Sequence, residues 1–399
     1  MDDFQKKNVV YRFFSYVVIL VFSLLIFESS KVNAQSREGL LSNASIGFAY
    51  EDNLLKTKPK QSGRSINIAP NLGYLKSIGK HNVFFSYDGN YASYFDNSDF
   101  SYSEHNFNVN GFISLPNSTG VNLSLFYRNE IEEPGSNDSS TSSDLVEFNK
   151  FNVIGFQTDL IFGTKRSTGQ FLFSGGVNKR DYTNNLQSFR DIESKFLTGL
   201  FYYRFTSRFR GLVELTARDI TYVSDNIIID STNFVTEVLT GFEWNPSLKT
   251  SGSFKVGYLE RDYDSVELND ISGLSYLIDF NWRPSSYTYF KLSGSKRPIE
   301  SAQIDVAGYF RNSFDIDIRH DLTDQMNIMI GSSYSDYDIS SELSGREDKK
   351  YTYRLGATYA FSRNFSSSLE LRHVLRDSTV SIFNFNSNVI EMSIFSTFE

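Results

Sequence analysis

The sequence predicts an all-β fold: a transmembrane, antiparallel, up-and-down β-barrel of about 18 strands behind a cleaved signal peptide. Three observations predict it. Segments of about 10 to 16 residues alternate apolar and polar side chains along nearly the whole chain, as strands between two media do. The connections between them alternate short and long. No stretch after the N-terminal leader is long and apolar enough to cross a membrane as a helix.

The leader comes first. Lys6, Lys7 and Arg12 precede the apolar run Val17 to Phe27, and Val32-Asn33-Ala34 offers the small residues a signal peptidase reads. Cleavage is placed before Gln35, which divides the chain into a signal peptide, 1–34, and an outer-membrane barrel, 35–399. An uncleaved anchor is disfavoured because the run is well short of the ~20 residues of a spanning helix.

The alternation is plain in Arg208 to Arg218. Phe209, Gly211, Val213, Leu215 and Ala217 form one wall, and Arg208, Arg210, Leu212, Glu214, Thr216 and Arg218 lie on the other. Leu274 to Arg283 and Phe310 to Arg319 repeat the pattern. Segments are expected to begin near Ser42, Arg64, His81, Tyr102, Thr119, Glu147, Thr168, Ile192, Arg208, Thr232, Thr250, Ile271, Ser286, Val306, Asp324, Lys350, Asn364 and Asn388. Short connections such as Ser77 to Lys80 and Thr206 to Arg208 interleave with longer polar ones such as Glu132 to Val146 and Asp336 to Asp348. Outer-membrane barrels have short periplasmic turns and longer outward loops, so both termini are expected on the periplasmic side. Tyr50, Tyr74, Tyr87, Tyr94, Tyr127, Tyr203, Trp244, Tyr258, Trp282 and Tyr359 fall near segment ends, where amphipathic rings favour the lipid–water interface. Ile390, Met392, Ile394 and Phe398 alternate to the C-terminus like a barrel-assembly signal, with Glu399 in place of a terminal aromatic. A soluble sandwich would leave wide apolar patches in water.

Composition agrees. The 399 residues include 37 Phe and 24 Tyr beside 22% charged residues, a mixture suited to a wall between lipid and water. The absence of Cys removes disulfide frameworks and thiol chemistry, and a net charge of −8 gives no nucleic-acid footprint.

Several motifs resemble a known family. Gly47-Phe-Ala-Tyr50-Glu-Asp52-Asn53 is similar to an opening Gly-x-x-Tyr-Asp-Asp-Asn strand, with Glu51 replacing the first Asp. Ile68-Ala-Pro70-Asn-Leu72 and His81 to Tyr94 resemble the strands that follow, and Trp244-Asn-Pro246-Ser247 and Trp282-Arg-Pro284-Ser285 resemble a repeated Trp-x-Pro-Ser/Thr hairpin. Together these motifs resemble the Putative beta-barrel porin 2 family over nearly the whole mature chain. The resemblance implies a role with exopolysaccharide or capsule synthesis. The hairpins also have a local reading, with Trp at the interface and Pro, which cannot donate to the ladder, ending the strand.

No catalytic, cofactor or metal site is read from the sequence. The four histidines, His81, His105, His320 and His373, have no partner at triad or metal-ligand spacing, and no phosphate-binding or HExxH motif is present. The polar parity is the informative feature. Arg204, Arg208, Arg210, Arg218, Lys255, Arg283, Lys291, Arg311, Arg319, Arg354 and Arg372 are the candidate lumen-lining residues, accompanied by Asp88, Asp159, Glu214, Glu237, Glu243, Asp279, Asp315, Asp317 and Glu370. Such charges either satisfy one another across adjacent strands or make a mildly basic channel. The acidic stretches Asp262 to Asp270 and Asp336 to Asp348, and the Ser-rich Pro134 to Asp144, read as solvated outer loops.

The expected function is a non-enzymatic outer-membrane barrel associated with export or assembly of a surface polysaccharide; the alternative is a general or anion-preferring diffusion porin. Expected partners are outer-membrane lipid and lipopolysaccharide, the barrel-assembly machinery, and a polysaccharide or small solutes, but not nucleic acid.

Overall fold

The computed structural model describes residues 38–398, apart from 138, 140–144, 224–229, 248, 303–305, 307 and 340–344. The expected signal peptide, 1–34, lies outside the described residues. The strands are β1 (Gly39–Glu51), β2 (Gly63–Ile78), β3 (His81–Tyr94), β4 (Tyr102–Leu115), β5 (Thr119–Glu132), β6 (Asn149–Phe162), β7 (Gly169–Tyr182), β8 (Ile192–Thr206), β9 (Phe209–Tyr222), β10 (Asn233–Ser247), β11 (Thr250–Tyr263), β12 (Ile271–Trp282), β13 (Thr288–Glu300), β14 (Gly308–Asp321), β15 (Met326–Ile339), β16 (Arg346–Ala360), β17 (Phe365–Ser378) and β18 (Phe385–Phe398). Each pairs antiparallel with its sequence neighbours, and β1 also pairs with β18 in the register Ser42↔Phe398, which closes the barrel. The largest displacement from an expected strand start is at β16, which begins at Arg346 rather than Lys350.

Parity decides the two faces. Side chains such as Leu197, Leu215, Tyr258, Leu274, Ile330 and Met392 are exposed outward. In water this would be an apolar patch far beyond what soluble proteins carry, so this face is in lipid. Its outer edge is level. On β4 to β9 the third residue below the long-loop end is outward and polar in turn: His105, Asn129, Asn152, Lys179, Lys195 and Asp219. From Asp219 to the girdle residue Phe209 is ten residues, which at ~3.3 Å per residue and a ~40° tilt spans ~25 Å, the height of the apolar band of such barrels.

Aromatics ring the short-turn rim. Trp244 stacks on Phe280 at 6.1 Å, Trp282 meets Phe290 at 6.3 Å, and Tyr203 meets Phe205 at 5.0 Å. Two of the residues expected at the interface are placed otherwise. Tyr94 is inward and packs against the buried cluster of Leu54, Leu55, Phe100 and Phe148. Tyr87 lies mid-strand, its hydroxyl bonded to Tyr91 at 2.9 Å and to Nδ1 of His105 at 3.0 Å. The buried clusters, this one and those around Ile192 and Tyr309, gather in the long-loop half, where loops and inward side chains fill the barrel mouth.

Candidate functional site: a charged lumen narrowed by inward loops

On the concave inner face of a barrel, side chains converge, so residues two strands apart can touch. Several inner charges pair in this way. Lys255 of β11 reaches Glu214 of β9 at 2.6 Å, Arg354 of β16 reaches Asp317 of β14 at 2.7 Å, and Arg261 of β11 reaches Glu300 of β13 at 3.1 Å. Arg210 donates to Gln170 of β7 at 2.8 Å and to Glu243 at 2.6 Å, and Arg297 binds Glu237. Pairing across next-but-one strands adds to the adjacent-strand pairing expected from the sequence, which Arg210 and Glu243, directly opposite on β9 and β10, make. Curvature is the reason.

The candidate lumen residues are placed as follows. Arg204, Arg210, Arg218, Lys255, Lys291, Arg311, Arg354 and Arg372 share the inward parity of their strands. Arg208 and Arg283 are in exposed short turns, with the Arg283 guanidinium 5.4 Å from the Tyr289 ring centroid. Arg319 also shares the inward parity, near the same rim, and pairs with Asp321 at 3.1 Å. The acids are as numerous as the bases on this wall, with Glu51, Asp88, Glu104, Glu130 and Glu391 inward on β1, β3 to β5 and β18. An arc of acids therefore faces an arc of bases running from β7 to β17.

The strongest departure from expectation is the β5–β6 connection. Read from sequence as a solvated outer loop, its described part turns into the barrel, and Pro134 and Gly135 are buried. Gly135 adopts φ +70° and Asn137 φ +45°, left-handed conformations that bend the chain inward. The basic wall then holds the loop. Lys350 Nζ donates to the Gly135 carbonyl at 3.0 Å, Arg376 Nη1 to the Asn137 carbonyl at 3.0 Å, and Arg311 Nη1 to Asn137 Oδ1 at 2.9 Å. Residues 140–144 of the Ser-rich stretch lie outside the described residues. The β1–β2 loop also folds inward: Asn53 donates to the carbonyls of Thr57 and Asn386 at 3.1 and 2.9 Å, and Lys56 contacts Glu51 and Ser387.

Cavities lie between these loops and the wall, and two are lined by described residues of both. One, of about 230 Å³, is lined by Glu51, Glu133, Glu391 and Arg372 among others. The larger, about 470 Å³, reaches from Asn90 and Glu104 to Arg180 and Tyr182, with Asn137 contributing from the loop. At its rim, Arg190 holds Glu132 bidentately at 2.8 Å. Burial pushes the nearby Asp191 carboxyl up, although it accepts the Tyr182 N–H at 2.6 Å.

Sequence reasoning missed Lys56, Arg190, Arg346 and Lys350. The first two are in connections, where alternation carries no signal. The others lie in or beside the stretch read as an acidic outer loop; in fact Asp348 is buried between Arg346 and Arg376. Among the histidines, His105 bonds Tyr87 on the outer face, and His373 bonds Asn388 at 2.8 Å. Among the described residues no group of three or more His, Cys, Asp or Glu is placed to hold a metal ion.

The model of the Putative beta-barrel porin 2 family matches residues 40–397, from the first strand to the last. The chain belongs to that family. Among curated proteins none matches its sequence. Solved structures similar to this porin include the outer membrane protein OpdK from Pseudomonas aeruginosa, at 10% identity and a TM-score of 0.52, covering 90% of this chain and 99% of that one. A BenF-like porin from Pseudomonas fluorescens Pf-5 aligns with a TM-score of 0.50 at 10% identity over 90% and 99% of the two chains. At such identities the likeness is one of fold. With the family match it places this porin in the bacterial outer membrane.

Proposed function

We propose that this porin is a non-enzymatic, passive channel for small polar solutes, with a modest preference for anions set at its periplasmic rim. The observation that carries the reading is the lumen: its wall carries both signs of charge, and inward loops narrow it while leaving cavities of about 230 and 470 Å³. The anion preference rests on the short turns. Six of the eight short connections contain Lys or Arg, namely Lys80, Lys165 with Arg166, Arg208, Lys249, Arg283 and Arg363, against Asp324 as the one acid in them. A ring of cations at a pore mouth raises the local anion concentration, whereas the balanced charges deeper inside contribute little net selectivity.

Reversal potentials across a planar bilayer in a KCl gradient test this. Chloride should be preferred, and the Arg208→Gln, Lys249→Gln, Arg363→Gln variant should lose most of that preference. A potassium preference in the unaltered porin would sink the reading.

A second reading keeps the role in exopolysaccharide or capsule export. The family membership and the basic rim favour it, since an acidic sugar chain would meet cations on the periplasmic side. Deleting the gene should then reduce surface polysaccharide, and an unchanged capsule and matrix would count against it. In either reading lipopolysaccharide surrounds the long-loop rim, and the alternating Ile390 to Phe398 strand is what the barrel-assembly machinery would recognise.

A further inference from the structure

The larger cavity has walls of opposite character, and most of its charge is already matched. Glu132 is taken by Arg190 and Glu300 by Arg261. What is left is asymmetric. On one side Arg180 is in none of the ion pairs among the described residues; its buried Nε has no hydrogen-bond partner, and its guanidinium stands 5.6 Å from the Tyr182 ring centroid. On the other side Glu104 accepts only neutral donors, Asn90 Nδ2 at 2.9 Å and the Ile131 N–H at 3.2 Å, while the exposed loop residue Glu133 already faces the charges of Lys56 and Lys350. Tyr102 lies beside them on the cavity wall.

An inorganic anion would use Arg180 and face the Glu104 carboxylate; a simple cation would do the reverse. A neutral sugar would use neither charge. A molecule with a carboxylate at one end and an ammonium at the other satisfies both walls at once. The volume, about 470 Å³, falls within the ~300–1,000 Å³ of pockets that take small organic ligands. Tyr102, beside Glu104, supplies a ring face that adds cation–π attraction for the ammonium, while the Tyr182 ring is already met by the Arg190 guanidinium at 4.5 Å.

We propose that this chamber is a binding site for small zwitterions of the amino-acid and short-peptide class, with the ligand carboxylate on Arg180 and its ammonium on Glu104. The proposal rests on the channel reading only in that the ligand enters through the lumen. The binding itself can be measured without conduction.

Titration calorimetry on the detergent-solubilised, full-length porin with alanylalanine is the test. The unaltered porin should show saturable binding. Arg180→Gln and Glu104→Gln should each weaken it about tenfold, the loss expected for one charge-assisted hydrogen bond. Gln is chosen at position 104 because it retains an acceptor for the Ile131 N–H. Ligand variants on the unaltered porin keep the test independent of folding: N-acetyl-alanylalanine, an anion, and alanylalanine amide, a cation, should each bind at least tenfold more weakly. Equal affinity for all three, or no binding of the dipeptide, overturns the proposal. If the dipeptide binds while the bilayer passes no KCl current, the channel reading fails and the site stands. If current flows with chloride preference but no dipeptide binds, the reverse holds.

Discussion

Releasing the β5–β6 loop from the basic wall should widen the pore. Lys350→Met with Arg311→Met removes two of the three charged donors to the loop, those to the Gly135 carbonyl at 3.0 Å and to Asn137 Oδ1 at 2.9 Å. A hydrogen bond to a charged partner contributes ~1.5–3 kcal/mol. Because the loop borders water the lower figure is appropriate, so two contacts amount to ~3 kcal/mol. At ~1.4 kcal/mol per decade, that lowers the ratio of docked to released loop by roughly a hundredfold. Arg376, which binds the Asn137 carbonyl and is itself buried beside Asp348, would be the remaining tether. In single-channel recordings the double variant should show higher conductance and more open-state noise. In limited proteolysis, cleavage within 133–146 should become fast. Arg354→Gln is the control, since it breaks the 2.7 Å pair with Asp317 and touches no described loop residue. A folded double variant with unchanged conductance and an uncut loop would refute the claim that these cations hold the constriction.

Three further outcomes follow from the same geometry. Gly135→Ala should release the loop by another route, because the residue sits at φ +70° and an added Cβ would meet the Phe385 ring at 2.8 Å; conductance should rise here too, with little change in barrel stability. Asp348→Asn should destabilise the barrel by about 3–5 kcal/mol, since it leaves the buried guanidiniums of Arg346 and Arg376 without their counter-charge. The temperature at which the barrel loses its compact gel mobility would read that. Gly257→Ala should prevent folding, because its Cβ would lie 1.7 Å from the Val238 carbonyl oxygen, a backbone atom that no rotamer change can move. Gly199→Ala, whose nearest described neighbour is a Phe173 ring carbon at 3.8 Å, should assemble normally and serves as its comparison.

The strands were legible in the sequence because a wall between lipid and water imposes period two on every one of them. Phe209, Val213 and Leu215 must face hydrocarbon, and Arg210, Glu214 and Arg218 cannot. Turn chemistry marked the ends, so the expected strand starts, the number of strands and the inward parity of Arg210, Lys255, Arg311 and Arg354 all follow from local pattern. What happens inside the barrel does not. Arg210 meets Glu243 through register on adjacent strands, but other bases meet their acids through curvature, which brings together strands two apart, as in Lys255 with Glu214. The constriction depends on contacts between residues far apart in the chain, Gly135 with Lys350 and Asn137 with Arg376, separated by 215 and 239 positions. No alternation encodes those distances. A Ser-rich connection looks solvated by composition, and only closure of the barrel around it supplies the buried cations that draw its carbonyls inward.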